Sequence, residues 1–181
     1  MERHYEENGL KDIGVKRNFL QEILYKWYRF RKSRYAYPVM YADGMVSRLK
    51  CDRIGRVPLG VIFENHLITL EDSPTKMLWN EAMAYCRSLQ VLGHECDGGH
   101  IDFWEKVVNL ESNEQRDLDT LLVKLGGKVL GSKWRWSESE YDYVDAWIFL
   151  CVLRGIDVNL KNSNYSGYVV RPVLDMSKVS V

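Results

Sequence analysis

The pattern of apolar and polar positions changes period along the chain, and its first segment has the period of a helix. Within residues 15–31, apolar side chains recur at Leu20, Ile23, Leu24 and Trp27. This i, i+3, i+4, i+7 spacing predicts an amphipathic helix, and Asp12 is its predicted N-cap.

A basic and aromatic stretch follows from this helix. No acidic residue occurs between Glu22 and Asp43, and the basic residues in that interval alternate with Trp, Tyr and Phe. Such a mixture can stack bases and hold phosphates. It also fits a helix with one buried aromatic face and one solvated cationic face. No nucleic-acid-binding motif accompanies the stretch, so we predict no nucleic-acid partner.

From residue 37 the pattern is that of strands. Residues 37–41 and 45–49 flank Asp43-Gly44, which predicts a hairpin because these two residues tolerate the positive φ of a tight turn. Residues 59–63 and 67–70 predict a second hairpin.

Helical spacing returns in the middle of the chain, where it predicts helices over residues 75–90, 102–110 and 113–125. Gly126-Gly127 ends the third helix.

The last third is strand-like. Residues 146–153 are all apolar, which predicts a central strand that is buried on both faces. Residues 156–160 are predicted to return antiparallel to it, and residues 168–174 form a final strand near an edge, because Pro172 cannot donate to a ladder.

The order of strands, helices and strands predicts an α+β fold. We expect a core that contains Trp79, Met83, Cys86, Trp104, Val107, Leu121, Trp147, Phe149 and Val170.

Composition and charge exclude some classes of binding partner and some cellular locations. The 181 residues contain 25 basic and 25 acidic side chains, so no global field favours nucleic acid or an anionic membrane. The N-terminus is polar, no signal peptide is visible and no apolar run is long enough to span a bilayer. We therefore expect a cytoplasmic protein or a component of a phage or surface particle. The four cysteines are predicted to be free thiols.

One cluster has candidate metal ligands. His94, Cys96 and His100 lie within seven residues, and three ligands with an open position can hold zinc. Their spacing matches no familiar zinc framework, so we favour a polar loop and predict neither a metal nor a cofactor. Because no motif orders a nucleophile with a base, we also predict that the protein is not an enzyme.

Several short motifs together resemble a known family. They are Leu78-Trp79-Asn80-Glu81-Ala82, Trp136-Ser137-Glu138-Ser139-Glu140-Tyr141, Ala146-Trp147 and the close Tyr168-Val169-Val170-Arg171-Pro172-Val173. In this order they resemble the C-type-lectin-like domains of gut Bacteroidetes, which are related to the fold of the formylglycine-generating enzyme. The resemblance implies an antiparallel sheet with two to three packed helices in residues 37–181. Residues 1–36 then form an N-terminal helical appendage that lies against this domain.

Departures from the family limit what the resemblance implies about activity. Neither the Glu-Pro-Asn or Gln-Pro-Asp triplet nor the Trp-Asn-Asp triplet of calcium-dependent lectins is present, which argues against calcium-mediated sugar binding. The oxidase branch uses a pair of cysteines near the C-terminus, whereas Cys151 stands alone in an apolar segment.

The resemblance also implies where a ligand would bind. One subgroup comprises the variable proteins of diversity-generating retroelements, and residues 161–165 resemble their diversified C-terminal region. Polar turns favour the same residue types, so both interpretations stay open. We expect a binding surface for a protein or glycan that is formed by Tyr141, Asp142, Tyr143, Asp145, Asn159, Lys161, Asn162, Asn164 and Tyr165. The alternative is a structural subunit of a phage tail tip or surface appendage that oligomerises through its N-terminal helix.

Overall fold

A computed structural model describes residues 16–31, 33–131, 133–162 and 168–179. Its helices and antiparallel sheets give an α+β fold, as the order of elements predicts. Within these ranges, no helix reaches the length and apolar character that a bilayer span requires.

The larger sheet has five antiparallel strands in the order β10-β4-β3-β1-β2. They are β1 Arg34–Tyr41, β2 Val46–Leu49, β3 Pro58–Phe63, β4 His66–Thr69 and β10 Val173–Asp175. Both predicted hairpins are present. In the first, Gly44 has φ 82° and Asp43 Oδ1 accepts a hydrogen bond from the Met45 amide at 3.2 Å. β1 begins at Arg34, inside the predicted appendage of residues 1–36.

The smaller sheet has three antiparallel strands, β7 Arg135–Glu140, β8 Asp145–Leu150 and β9 Gly155–Leu160. β8 is central, as its apolar sequence predicts. It ends at Leu150 rather than residue 153, because the chain turns at residues 151–154 and leaves Val152 and Leu153 exposed. A continuous apolar run cannot show where a strand gives way to a turn. The final strand is also shorter than predicted.

The helices connect the two sheets in sequence. They are α2 Trp79–Ser88, α3 Ile101–Val108 and α4 Ser112–Lys124, followed by Gly126 at φ 96°. Between α2 and α3 the predicted polar loop contains a small hairpin, β5 Gln90–Val91 with β6 His94–Glu95.

Buried apolar side chains cover both faces of the smaller sheet. On one face, Trp136, Ala146 and Ile148 pack with Trp79 and other apolar residues of α2. On the other, Phe149 stacks on Trp104 of α3 with ring centroids 4.1 Å apart. Every predicted core residue is buried except Trp147, which is half-buried.

A buried ion cluster joins segments that are distant in sequence. The Asp72 carboxylate accepts hydrogen bonds from Arg135 Nε at 2.8 Å and from Arg171 Nε at 2.7 Å, and all three side chains are buried. Carbonyl oxygens of residues 69–70 and 128–130 accept further bonds from the guanidinium groups. The cluster therefore ties β7 and the chain after Tyr168 to the end of β4.

The N-terminal helix is present and contacts the rest of the chain. α1 runs over Phe19–Phe30, and its N-cap is Asn18, which exchanges hydrogen bonds with Gln21 in a capping box. Asp12, the predicted N-cap, lies outside the described residues. Tyr25 is buried and α1 contacts the short 3-10 helix Lys50–Arg53. Its predicted apolar stripe, Leu20, Ile23, Leu24 and Trp27, is exposed to solvent.

Candidate functional site

The turn between β7 and β8 is held rigidly by its own backbone and by one side chain. Asp142 Oδ1 accepts hydrogen bonds from the amides of Val144 and Asp145, both at 2.8 Å. The amides of Tyr141 and Asp142 donate to the Asp145 carbonyl. Asp142 therefore shapes the turn, which is the usual role of an Asp side chain that bonds the backbone two or three residues ahead.

A buried lysine supports the same turn from beneath. Lys161 Nζ donates to Glu140 Oε2 and to the Asp142 carbonyl, both at 2.6 Å, and lies 5.0 Å from the centre of the Trp79 ring. The Lys161 amide donates to the Val144 carbonyl. A charge-assisted bond in a buried setting is stronger than a neutral one, so this lysine fixes the turn to β9.

The turn and the adjacent strands expose a group of aromatic and apolar side chains. Tyr141 is 58% exposed and Tyr143 is 90% exposed. The Tyr141 ring packs edge-on against half-buried Trp147, with centroids 5.3 Å apart. Leu160 lies beside them, because it pairs with Asp145 while Val158 pairs with Trp147. We call Tyr141, Tyr143, Val144, Trp147 and Leu160 the aromatic surface.

The residues predicted to bind a ligand fall into several groups. Tyr141 and Tyr143 are exposed on the turn, Asp142 braces it, and Asn162 is exposed just after β9. Asn164 and Tyr165 lie outside the described residues.

Three of the expected positions are less accessible than the sequence suggests. Lys161, expected on the surface, is only 5% exposed because its ammonium is bonded beneath the turn. Asp145 is half-buried in β8. Half-buried Asn159 pairs with Ala146 on the α2 side of the sheet, where its amide donates to Tyr168 Oη at 2.9 Å. The predicted set is therefore divided between two faces of the smaller sheet.

Sequence reasoning missed the apolar part of this surface. Trp147 was assigned to the core, and Val144 and Leu160 were not considered as contact residues. Alternation along β8 places Trp147 on the same face as Phe149. Phe149 is covered by Trp104, whereas Trp147 packs against exposed Tyr141 and stays half-buried. Periodicity shows which face of the sheet a residue occupies. It does not show how far along the strand a helix covers that face.

The aromatic surface has an acidic border. Asp142 lies in the turn, and Asp145 pairs with Leu160 at the start of β8. Glu140 pairs with Ala146 on the α2 side of the sheet, where it binds Lys161. Exposed tyrosine rings offer flat apolar area with a hydroxyl that donates and accepts, and carboxylates accept hydrogen bonds. This combination suits a polyhydroxylated ring or a protein segment that carries donors.

The candidate zinc ligands do not converge. Cys96 is buried in an apolar cluster, and His100 is exposed at the N-terminus of α3, where its ring accepts a hydrogen bond from the Asp102 amide. Among the residues that the structure describes, no group of three or more His, Cys, Asp or Glu side chains could hold a metal ion.

The cysteines are buried free thiols with little nucleophilic character. Burial raises the pKa of Cys51 and Cys96 to about 11 and that of Cys151 to about 12, and it also raises the pKa of Cys86. Because the thiolate is the reactive form, these groups are poor nucleophiles near neutral pH.

One carboxyl has a perturbed pKa away from the aromatic surface. Burial and the neighbouring Asp97 carboxylate raise the pKa of Glu138 in β7. Asp97 itself accepts a hydrogen bond from the Gly99 amide and lies 3.4 Å from Lys178 Nζ. These contacts connect the segment after β6 with Lys178. The two carboxylates also help to raise the pKa of the Cys86 thiol, and Asp97 that of Cys96, so these thiols stay protonated near neutral pH.

Comparisons of the chain with protein-family models, with curated proteins and with solved structures gave no match.

Proposed function

We propose that the protein is a non-enzymatic, receptor-type binding module that captures a protein or glycan on the aromatic surface without calcium. The observation that carries this proposal is the rigid β7–β8 turn, which holds Tyr141 and Tyr143 in solvent and packs the Tyr141 ring against half-buried Trp147. Tyrosine is well suited to recognition because it offers a large contact area with few rotatable bonds.

Preorganisation supports a binding role for the turn. Asp142 and Lys161 fix its backbone before any ligand arrives. The smaller sheet beneath it is packed between two helices. α2 covers one face, and α3 covers Phe149 on the other face. A surface that is already ordered loses less conformational entropy on binding.

The proposed relationship to C-type-lectin-like domains is supported by contacts among the residues that carry the resemblance. Trp79 Nε1 donates to the Ser137 carbonyl at 2.8 Å, and Trp136 Nε1 donates to the Met77 carbonyl at 2.9 Å. The α2 motif and the β7 motif are therefore interlocked in one core. The α+β architecture with antiparallel sheets is compatible with such a domain.

Two features support a function without catalysis. The four thiols are buried, so they are not exposed nucleophiles. The aromatic surface combines tyrosines with carboxylates that brace the turn or are paired, rather than a base directed at a nucleophile.

A double substitution tests the binding surface. We expect Tyr141→Ala with Tyr143→Ala to lower affinity at least tenfold for a ligand found with a glycan array or a panel of purified surface proteins, because truncation of an aromatic hot spot costs about 1–2 kcal/mol or more. The urea midpoint should stay unchanged, since both side chains are exposed. Affinity is measured by biolayer interferometry with and without EDTA.

The matched control is Val152→Ala with Leu153→Ala, which removes exposed apolar groups from the turn after β8. Unchanged affinity in the tyrosine variant, or loss of binding on EDTA treatment, would refute the proposed site or its independence of calcium.

Diversification of this surface is a separate proposal with a genomic test. If the protein is the variable component of a diversity-generating retroelement, a reverse transcriptase gene should lie nearby with an imperfect repeat of the codons for residues 140–170. Tail genes without that repeat would favour the alternative, a structural subunit of a phage tail tip or surface appendage.

A further inference from the structure

The helix α1 presents its apolar side to solvent. Six residues of α1 are between 46% and 88% exposed: Phe19, Leu20, Ile23, Leu24, Trp27 and Phe30. Since an α-helix turns by about 100° per residue, they share an arc of about 140°. Tyr25, the buried residue of the helix, lies on the opposite side. α1 is thus attached to the domain by the side that is not apolar.

Positive charge is concentrated around this arc. The helical repeat places Lys26 just outside one border of the arc and Arg31, the C-cap, close to the other border. The Arg31 guanidinium lies 4.5 Å from the centre of the Trp27 ring. Residues 16–34 contain seven basic side chains and one acidic side chain, although the whole chain is neutral. The zero net charge of the sequence therefore conceals a strongly cationic segment.

A basic groove adjoins the apolar arc. It has a volume of about 660 Å³ and lies between α1 and the chain from residue 50 to residue 57. Lys50, Arg53, Arg56 and Lys124 line it, and none of the described residues that line it is acidic. Arg56 is bonded to Asp43 at 2.6 Å, outside the lining. Leu24 belongs both to the groove and to the apolar arc, so the two features are continuous.

We propose that α1 and this basic groove form a docking site for a membrane surface that contains anionic phospholipids. The apolar arc enters the boundary between headgroups and acyl chains, with the helix parallel to the membrane plane. Lys26 and Arg31 extend from its borders to the phosphates, and the groove receives a lipid headgroup. A helix with Trp, Phe and Leu on one face and Lys and Arg beside it is the type that binds membranes in this way.

Charge complementarity favours a lipid surface over the other occupants of this face. Pairing with α1 of a second copy would bring two cationic helices together, and like charges at such a seam repel. A nucleic acid would satisfy the cations and could stack on the aromatic rings, but it would leave Leu20, Ile23 and Leu24 in water. An anionic membrane satisfies both the apolar arc and its charged borders. α1 and the aromatic surface share no residue, so failure of either proposal leaves the other intact.

Vesicle flotation of the full chain tests this site. We expect binding to vesicles of phosphatidylcholine with phosphatidylserine, weakening as salt is raised, and little binding to phosphatidylcholine alone. Ile23→Asn with Trp27→Gln should reduce binding at least tenfold by removing buried apolar area. Lys26→Gln and Arg31→Gln should each reduce it about fivefold at low salt.

Matched controls change the same chemistry elsewhere on the surface. Leu153→Gln removes an exposed apolar side chain and Lys133→Gln removes an exposed cation, and neither should alter binding. Insertion is located with brominated lipids, which should quench Trp27. Trp27→Phe should keep the affinity and lose that component of the quenching.

Four results would each overturn the proposal. The first is equal binding to neutral and anionic vesicles. The second is inhibition by soluble glycerophosphoserine with the affinity of the vesicles, which would indicate a site for small anions only. The third is a lipid-free dimer in light scattering that Ile23→Asn with Trp27→Gln dissociates, which would assign the face to a second copy. The fourth is binding of single-stranded DNA at the same salt and affinity, lost with Lys26→Gln and Arg31→Gln.

Discussion

Replacing Asp72 with Asn should destabilise the protein by about 3–5 kcal/mol, the usual consequence of removing one partner from a buried ion pair. Asn keeps the size of the side chain but removes its charge, which leaves the Arg135 and Arg171 guanidinium groups buried beside one another without a counter-ion. Since a typical domain has only about 5–15 kcal/mol of stability, the variant should unfold at a much lower urea concentration.

The neighbouring residue provides a matched control. Glu71 forms an ion pair with Lys128 at 2.6 Å, but both side chains are more than half exposed. Solvent-exposed pairs contribute about 1 kcal/mol or less, so Glu71→Gln should change the urea midpoint little. If the two variants were equally stable, the buried cluster would not have the structural role that its geometry indicates.

The same cluster predicts how stability depends on pH. Burial alone raises the pKa of Asp72, but hydrogen bonds from Arg135 and the charge of Arg171 outweigh it and lower the pKa below its ordinary value. A carboxyl whose folded-state pKa is depressed adds stability above its unfolded-state pKa of about 3.9, and that stability is lost as the pH falls through the folded-state pKa. The difference in free energy of unfolding between the native protein and Asp72→Asn should therefore shrink as the pH is lowered below about 4.

Replacing Trp104 with Ala should also destabilise the protein by about 3–5 kcal/mol, as expected for a fully buried Trp. The Trp104 ring stacks on Phe149 at 4.1 Å, packs edge-on against Phe103 at 4.8 Å, and donates from Nε1 to the Gly98 carbonyl at 2.8 Å. Truncation removes all of these contacts and leaves a cavity between α3 and the smaller sheet.

Trp147→Ala is the matched control for this second experiment. Trp147 points to the same face of β8 as Phe149 but is half-buried at the edge of the aromatic surface. Its replacement should cost about 1–2 kcal/mol, because less area is lost from the core. Urea denaturation followed by circular dichroism measures both variants, and a larger loss for Trp147 than for Trp104 would contradict this placement of the core.

Local sequence determined the elements whose signals lie within a few residues. Asp43-Gly44 specifies the first hairpin because its turn needs a positive φ, which Gly44 adopts. The spacing of apolar residues located α2, α3 and α4, since a helix that buries one face must repeat with a period of 3.6. The central position of β8 followed from its apolar sequence for the same type of reason.

The tertiary structure decided what each face meets. The apolar stripe of α1 was correctly located in the sequence, yet it faces solvent, because periodicity defines a face without specifying its partner. Trp147 was expected in the core and Lys161 on the surface, and both expectations are wrong for a related reason. Trp147 lies near the start of central β8, beside the exposed turn, and is only half-buried. Lys161 is buried because Glu140 and the Asp142 carbonyl accept hydrogen bonds from its ammonium.

The buried ion cluster was the feature that the sequence indicated least. Asp72 and Arg171 are 99 residues apart, and Asp72 and Arg135 are 63 apart. Charged residues are ordinarily expected on the surface, and only the folded chain brings these three together with the carbonyl groups that complete their hydrogen bonds. The sequence by itself determined the local elements and the class of fold, because those depend on neighbouring residues. The ion cluster, the outward face of α1 and the aromatic surface were decided by contacts between distant segments, which one sequence does not reveal.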